Sequence, residues 1–203
     1  MNSLLLVGGG GHCHACIDVI EATNLYEIKG VVQPKAASEH VLGYPVIGSD
    51  DDLPQLLKNS KLALIVVGQI ESPQARIRLF DLLKQLGAEL AVVVSPKAHV
   101  SRHSFIGEGS IIMHGAIVNA GARVGNNCIV NSQALLEHHV DVHDHCHIST
   151  GALLNGNVTI GSGSFVGSGA VIKQGVRVGK NVIIGAGQVV LCDVPDNAMV
   201  KIC

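Results

Sequence analysis

The chain has no tryptophan, two tyrosines and three phenylalanines, so aromatics make up only 2% of its 203 residues. A broad core filled by rings is not available to it; a thin core of aliphatic side chains is. Charge is also scarce: charged residues are 15% of the chain and the formal net charge is −2, which argues for neither a nucleic-acid nor a membrane-surface partner. No apolar run approaches the length of a membrane span, although hydrophobic residues reach 47% and the mean hydropathy is +0.39. That excess is read as buried faces, a subunit interface among them. The N-terminus carries neither a basic leader nor a cleavage site, so the expected location is the cytoplasm. The six cysteines form no disulfide framework. Cys13 and Cys16 make a CxxC by spacing alone, without a second pair or a thioredoxin-like setting, and are read as buried thiols. Cys128 and Cys146 fall in an inward, small-residue phase, whereas Cys192 and Cys203 fit no pattern.

What is abundant is order. Seventeen aliphatic residues recur every six positions without a miss, from Val94, Val100 and Ile106 through to Ile184 and Val190. A period of six is neither helical nor simple strand alternation; it marks a solenoid of short rungs. Four places after each aliphatic the residue is usually small, as at Ala116, Ala122, Cys128 and Ala134. Three places after, it is mostly Gly or Asn, residues that tolerate positive φ and suit a sharp corner. Short strands joined by such corners, three hexapeptides to a coil, predict a triangular prism. The pattern resembles the left-handed parallel β-helix of the hexapeptide-repeat acyltransferases, which implies a trimer of side-by-side prisms.

The first ninety or so residues have another rhythm. Leu4–Val7, Ile28–Val32, Leu62–Val67 and Leu90–Val94 read as strands. Helical patterns follow the Gly8-Gly9-Gly10-Gly11 turn and cover Asp50–Leu57 and Ser72–Leu86, the last with Ser72-Pro73 as cap and first residue. Strands alternating with helices predict a small Rossmann-like parallel sheet, an α/β domain over residues 1–94, followed by the β-helix over 95–203 with a boundary near Ser95-Pro96. The glycine turn lacks the full dinucleotide fingerprint: its third glycine would fall on Cys13, and Gln33 stands where an acidic residue would close the second strand. A phosphate or pyrophosphate at the bare helix N-terminus is the better reading.

Residues 137–147 hold five of the eleven histidines, and His139 and His145 occupy the corner phase where most rungs have Gly or Asn. Departure from a favoured residue twice in a row invites a functional reading of the cluster, although His143 or His145 taken singly reads better as an exposed corner. Acyl transfer with one histidine as base is one possible use. Zinc chemistry through His138 and His143 is another, but its third ligand would fall on Arg102, with His103 pointing to the opposite face. No metal site is therefore expected. A non-catalytic scaffold is a third reading, disfavoured by the histidine cluster.

Asn131-Ser132, Glu137-His138, His147-Ile148-Ser149-x-Gly151-Ala152 and Gly156-Asn157-Val158-x-Ile160-Gly161, together with Val7-Gly8-Gly9-Gly10-Gly11-His12, resemble one sugar acyltransferase family. It comprises sialic-acid O-acetyltransferases and the N-acetyltransferases of nucleotide-linked 4-amino sugars, as in bacillosamine synthesis. The resemblance implies an acetyl-CoA-dependent cytoplasmic homotrimer of surface-glycan synthesis with active sites between adjacent chains. N-acetylation of a nucleotide-activated amino sugar is the favoured reaction, and O-acetylation of a sialic-acid-like sugar the alternative. It implies that His138 is the general base in a direct transfer, and that His147, Gly156, Gly167, Ser168 and Gly185 line the acetyl-CoA groove. Gly8, Gly9, Gly10, Gly11, His12 and Asn131 would hold the acceptor. The family places an acidic residue directly after the base to orient it; here His139 stands there, leaving Glu137, Asp141 or Asp144 to take over. Gln33-Pro34-Lys35 replace the family's acidic residues after the second strand. The chain also ends at Lys201-Ile202-Cys203, where the family continues into a Gly-x-Pro-Ala segment.

Overall fold

A computed structural model describes residues 2–34 and 38–201; Lys35 and Cys203 lie outside them. The N-terminal part is a six-stranded sheet of order β3-β4-β2-β1-β5-β6. Its elements are β1 (Asn2–Val7), α1 (Gly11–Thr23), β2 (Tyr26–Val32), β3 (His40–Val41), β4 (Tyr44–Gly48), α2 (Leu53–Leu56), β5 (Leu62–Ile65), α3 (Gln74–Gln85) and β6 (Glu89–Leu90). All pairs are parallel except β3 with β4. That hairpin is absent from the sequence reading; its turn is Leu42-Gly43, both with positive φ, which matches the twist of the flanking strands. Strand alternation sorts the two faces. Leu4 and Leu6 pack with Cys16, Ile17 and Ile20 of α1, while Leu5 and Val7 pack with Leu53 and with Leu79 and Leu83 of α3. Chain order reverses about β1, so the crevice beyond the C-terminal ends of β1 and β5 is the place where this architecture takes ligands.

The prism expected from the hexapeptides is present, with three parallel sheets. A first face of seven strands runs from Val93–Val94 to Met199–Val200, a second of six from His99–Val100 to Val189–Val190, and a third of five from Phe105–Ile106 to Arg177–Val178. Strands pair with those eighteen residues on, as Ile111 does with Ile129, until the last coil, where Ile183 pairs with Met199. Every corner-phase residue from Gly109 to Gly187, including Gln133, His139 and His145, has positive φ. The inward aliphatics and small residues form one continuous buried cluster, Cys128 and Cys146 within it. The run Leu90–Val94, expected as one strand, is divided: Leu90 pairs with Ala63 in the N-terminal sheet, and Val93–Val94 already forms the first prism strand.

The three faces meet different surroundings. Outward residues of the first face, Val93, Ile111 and Ile129, are fully buried because α1 lies on them through Cys13, Cys16 and Ile20. Each such aliphatic contributes about 1.5–3 kcal/mol when removed from water, so the two parts of the chain are packed together rather than tethered. The second face presents an aliphatic stripe to solvent: Ile117, Leu135, Leu153, Val171 and Val189 stack in register. The third is polar, with Arg123 over the Phe105 ring.

Candidate active site

Corner geometry dismantles the histidine cluster. Each hexapeptide turns the chain to the next face, so residues six apart along the sequence diverge. His138 and His139 sit at the corner between the second and third faces, His143 and His145 at that between the third and first, and His147 on the first face. His143 Nε2 lies 3.5 Å from Asp141 Oδ2. His145 belongs to the joint between the two parts of the chain: Asn127 Nδ2 lies 3.0 Å from its Nδ1 and Phe80 of α3 meets its ring edge-on. His138 and His143 thus do not face one another within a chain, and among the described residues no three His, Cys, Asp or Glu converge to hold a metal.

His138 and His139 are exposed, with Nδ1 atoms 3.2 Å apart and rings near perpendicular at 77°. Glu137 does not reach either ring. Its Oε2 accepts from the His138 backbone N–H at 3.2 Å and from Asn119 Nδ2 at 3.1 Å, so it fixes the turn. Gly156, one coil on, makes room for the base candidate: a Cβ there would lie 2.5 Å from His138 Cε1 and 2.6 Å from Nε2.

The acceptor residues expected from the sequence divide in two. Gly8 and Gly9 are packing glycines, Gly8 at φ 115 against Val67 and Gly9 beneath the Gln33 side chain. Gly10 and Gly11 face open space. With His12, Gly68, Gln69, Ile70 and His147 they line a cavity of about 410 Å³ at the sheet's reversal point. Gly10 caps α1 with no side-chain hydrogen bond, leaving the helix amides to a ligand.

His147, expected in the coenzyme groove, lines this cavity. Its Nδ1 lies 2.6 Å from the Gln69 carbonyl, which only accepts, so Nδ1 carries the proton and Nε2 accepts from Asn131 Nδ2 at 3.2 Å. Burial pushes its pKa down to about 4, helped by the Arg76 guanidinium against the opposing pull of the Gln69 bond. His12, 6.2 Å away by ring centroid, is likewise lowered to about 4 by burial and then by His147 and Arg76. Its Nε2 is sealed from solvent with no partner among the described residues. Two neutral imidazoles therefore meet there at neutral pH.

Sequence reasoning missed the residues that fix this joint. Arg76, fully buried, donates to the carbonyls of Ile65 and Val67 and to Asn127 Oδ1 across the joint. Gln69 Nε2 donates to the carbonyls of His145 and Gly163. The available signal was Arg76 itself, a cation in the apolar phase of α3 with Leu79 and Leu83. The remaining coenzyme candidates, Gly167, Ser168 and Gly185, stand at the corner between the first and second faces, across the aliphatic stripe from His138 and Gly156. Gly167 is needed for coil packing, since a Cβ would meet the backbone of Gly185 and Ala186; Ser168 is exposed and pairs with Ser149 Oγ at 2.9 Å.

Comparison with known proteins agrees with both halves. The PglD N-terminal domain profile matches residues 3–83, and the bacterial transferase hexapeptide (six repeats) profile matches 103–138, 139–174 and 157–190. The acetyltransferase domain of PglB from Neisseria gonorrhoeae FA1090, solved in complex with acetyl coenzyme A, superposes with a TM-score of 0.91 at 33% identity, covering 98% of this chain and 96% of that one. PerB from Caulobacter crescentus, solved with CoA and GDP-perosamine, gives 0.90 at 30% identity over 98% of this chain and 93% of that one. WeeI from Acinetobacter baumannii AYE shares the fold at 23% identity, with a TM-score of 0.88 over 99% of this chain and 97% of that one. No curated protein matches. The chain belongs to the hexapeptide-repeat sugar acyltransferases, and it is an acyltransferase.

Proposed function

We propose that the protein transfers the acetyl group of acetyl-CoA to the amino group of a nucleotide-activated 4-amino sugar, with His138 as general base. The observation that carries the reading is His138 itself: an exposed imidazole whose Nδ1 is engaged and whose Nε2 has no partner among the described residues, beside the exposed aliphatic stripe of the second face. The amine nitrogen attacks the thioester carbonyl, forming the C–N bond and breaking C–S. The amine proton passes to His138 Nε2 and then to the departing thiolate, so the enzyme ends as it began. Prism backbone amides bind the developing oxyanion.

The acceptor's phosphates lie against Gly10, Gly11 and the α1 N-terminus, with the neutral rings of His12 and His147 in the wall of the same cavity. The relatives solved with acetyl coenzyme A, and with CoA and GDP-perosamine, support both ligands. The cavity and His138 lie on different parts of the prism surface, so a complete site needs a second copy. The aliphatic stripe of the second face supplies the contact for a homotrimer. Free-thiol release from acetyl-CoA against nucleotide-linked 4-amino sugars and free sialic acids tests the reading. Release with an amino sugar, lost in His138→Ala while coenzyme binding persists, is the expected result. Release only with a sialic-acid-like sugar overturns N-acetylation, and an active His138→Ala overturns the base.

A further inference from the structure

An acidic neighbour is the usual means of orienting a catalytic imidazole, yet the carboxylates close to His138 in sequence are engaged elsewhere. Glu137 holds the turn, Asp144 Oδ1 accepts from the Asn126 backbone at 2.7 Å, and Asp141 faces His143. We infer that His139 is the positioning residue of His138: its unprotonated Nδ1 accepts the His138 Nδ1–H and so leaves His138 Nε2 bare to act as base. This rests on the assignment of His138 as base, made above.

The geometry is specific to this corner. His139 has φ 58, and that turn directs its ring back over the preceding coil. Gly121 lies there without a side chain, and a Cβ on it would stand 2.9 Å from His139 Cδ2 and 3.1 Å from Nε2. Gly156 gives His138 the same room on the following coil. The two rings thus occupy two vacant side-chain slots, which brings their Nδ1 atoms to 3.2 Å. One proton serves both Nδ1 atoms. When it resides on His138, Nε2 of His138 can accept the amine proton; when it resides on His139, His138 carries its proton on Nε2 and cannot. The other charged groups around the pair are Glu137, the Arg102–His103 pair two coils back, and Lys173 two coils on.

His139→Gly tests this, because glycine is the favoured residue at such a corner and the coil keeps its geometry. His139→Glu restores a charged acceptor. Two readouts separate the inference from the function on which it rests. In ¹⁵N-labelled protein, the His138 ring shifts report which nitrogen holds the proton, with no need of turnover. The wild type is expected to show Nδ1–H on His138, and His139→Gly to lose that preference. In thiol release, His139→Gly is expected to lower kcat about 10- to 100-fold with KM unchanged. His139→Glu is expected to recover kcat and move the acid limb of the pH profile upward, because a carboxylate stabilises the imidazolium. His138 tautomer and kcat unchanged in His139→Gly would reduce His139 to a corner residue and overturn the inference. If the wild type releases no thiol with any acceptor, the proposed function falls while the ring shifts still decide the contact.

Discussion

The sharpest test of the site geometry is the smallest substitution, Gly156→Ala. Gly156 has no positive φ, so alanine fits its backbone, and the added methyl removes conformational freedom from the unfolded chain worth about 0.4–1 kcal/mol. The cost falls on one neighbour. The new Cβ would stand 2.5 Å from His138 Cε1, 2.6 Å from Nε2 and 3.1 Å from Nδ1. Carbon–carbon contacts settle near 3.5–4.0 Å, so the ring must retreat by about 1 Å at the edge that bears the reactive nitrogen. His138 is exposed and the retreat is open to it, so stability is expected to stay within about 1 kcal/mol of wild type. A displacement of about 1 Å at a reacting group costs on the order of 100-fold in rate. Gly156→Ala is therefore expected to melt like the wild type, bind acetyl-CoA, and release thiol about two orders of magnitude more slowly. The assay is initial rate at saturating acceptor, paired with a thermal melt. A wild-type rate in a folded variant would refute the reasoning, since the ring seated on Gly156 would then not be the one that takes the proton.

Two further outcomes follow from other parts of the structure. His12 and His147 are held neutral with pKa values near 4, below the ordinary 6.5, so the unfolded chain binds the extra protons first. Their contribution to stability is full above about pH 6.5 and is lost as pH falls toward 4, at about 1.4 kcal/mol per unit for each ring. Denaturant midpoints should drop between pH 7 and 5, and ring titrations near 6.5 for both residues would contradict their neutral burial. On the second face, Leu153→Glu places a charge in the centre of the aliphatic stripe while leaving the inward core untouched. The variant should sediment as a folded monomer and lose turnover; an unchanged oligomer would locate the subunit contact elsewhere.

The fold was legible because a solenoid repeats its instructions. Val94 to Val190 state the inward phase seventeen times, and Gly or Asn states the sharp turn at most of the corners, so each rung corroborates the next. The N-terminal strands were legible from apolar runs. The β3–β4 hairpin was not, because its two-residue strand leaves no periodicity and its turn depends on Leu42 in an unfavoured conformation. The candidate site's residue types stood out in the sequence, but their placement did not. Five histidines within eleven positions read as one cluster, but a period of six that equals one face of a prism sends neighbours to separate corners. Proximity along this chain runs by eighteens, so the informative partners of His138 and His139 were Gly156 and Gly121, two glycines that read as ordinary repeat residues.

The same arithmetic accounts for the division of labour among the faces. A prism coil offers three outward positions, and this chain spends the first on α1, which buries Ile111 and Ile129 and fixes His147 beside His12. The cavity beside His12 is consequently tied to the first face, while the candidate base stands at the corner of the second and third. A rigid solenoid cannot fold one corner onto another, and Arg76, Gln69 and Asn127 lock the N-terminal sheet to its own prism. Motion within one chain therefore cannot close the distance between acceptor and base. On the proposed function a neighbouring copy must do so, and the aliphatic stripe beside His138 is where such a copy would bury otherwise exposed Ile117, Leu153 and Val189. On that proposal assembly and catalysis are a single requirement, and a substitution that separates the copies should silence the enzyme without touching a residue that contacts substrate.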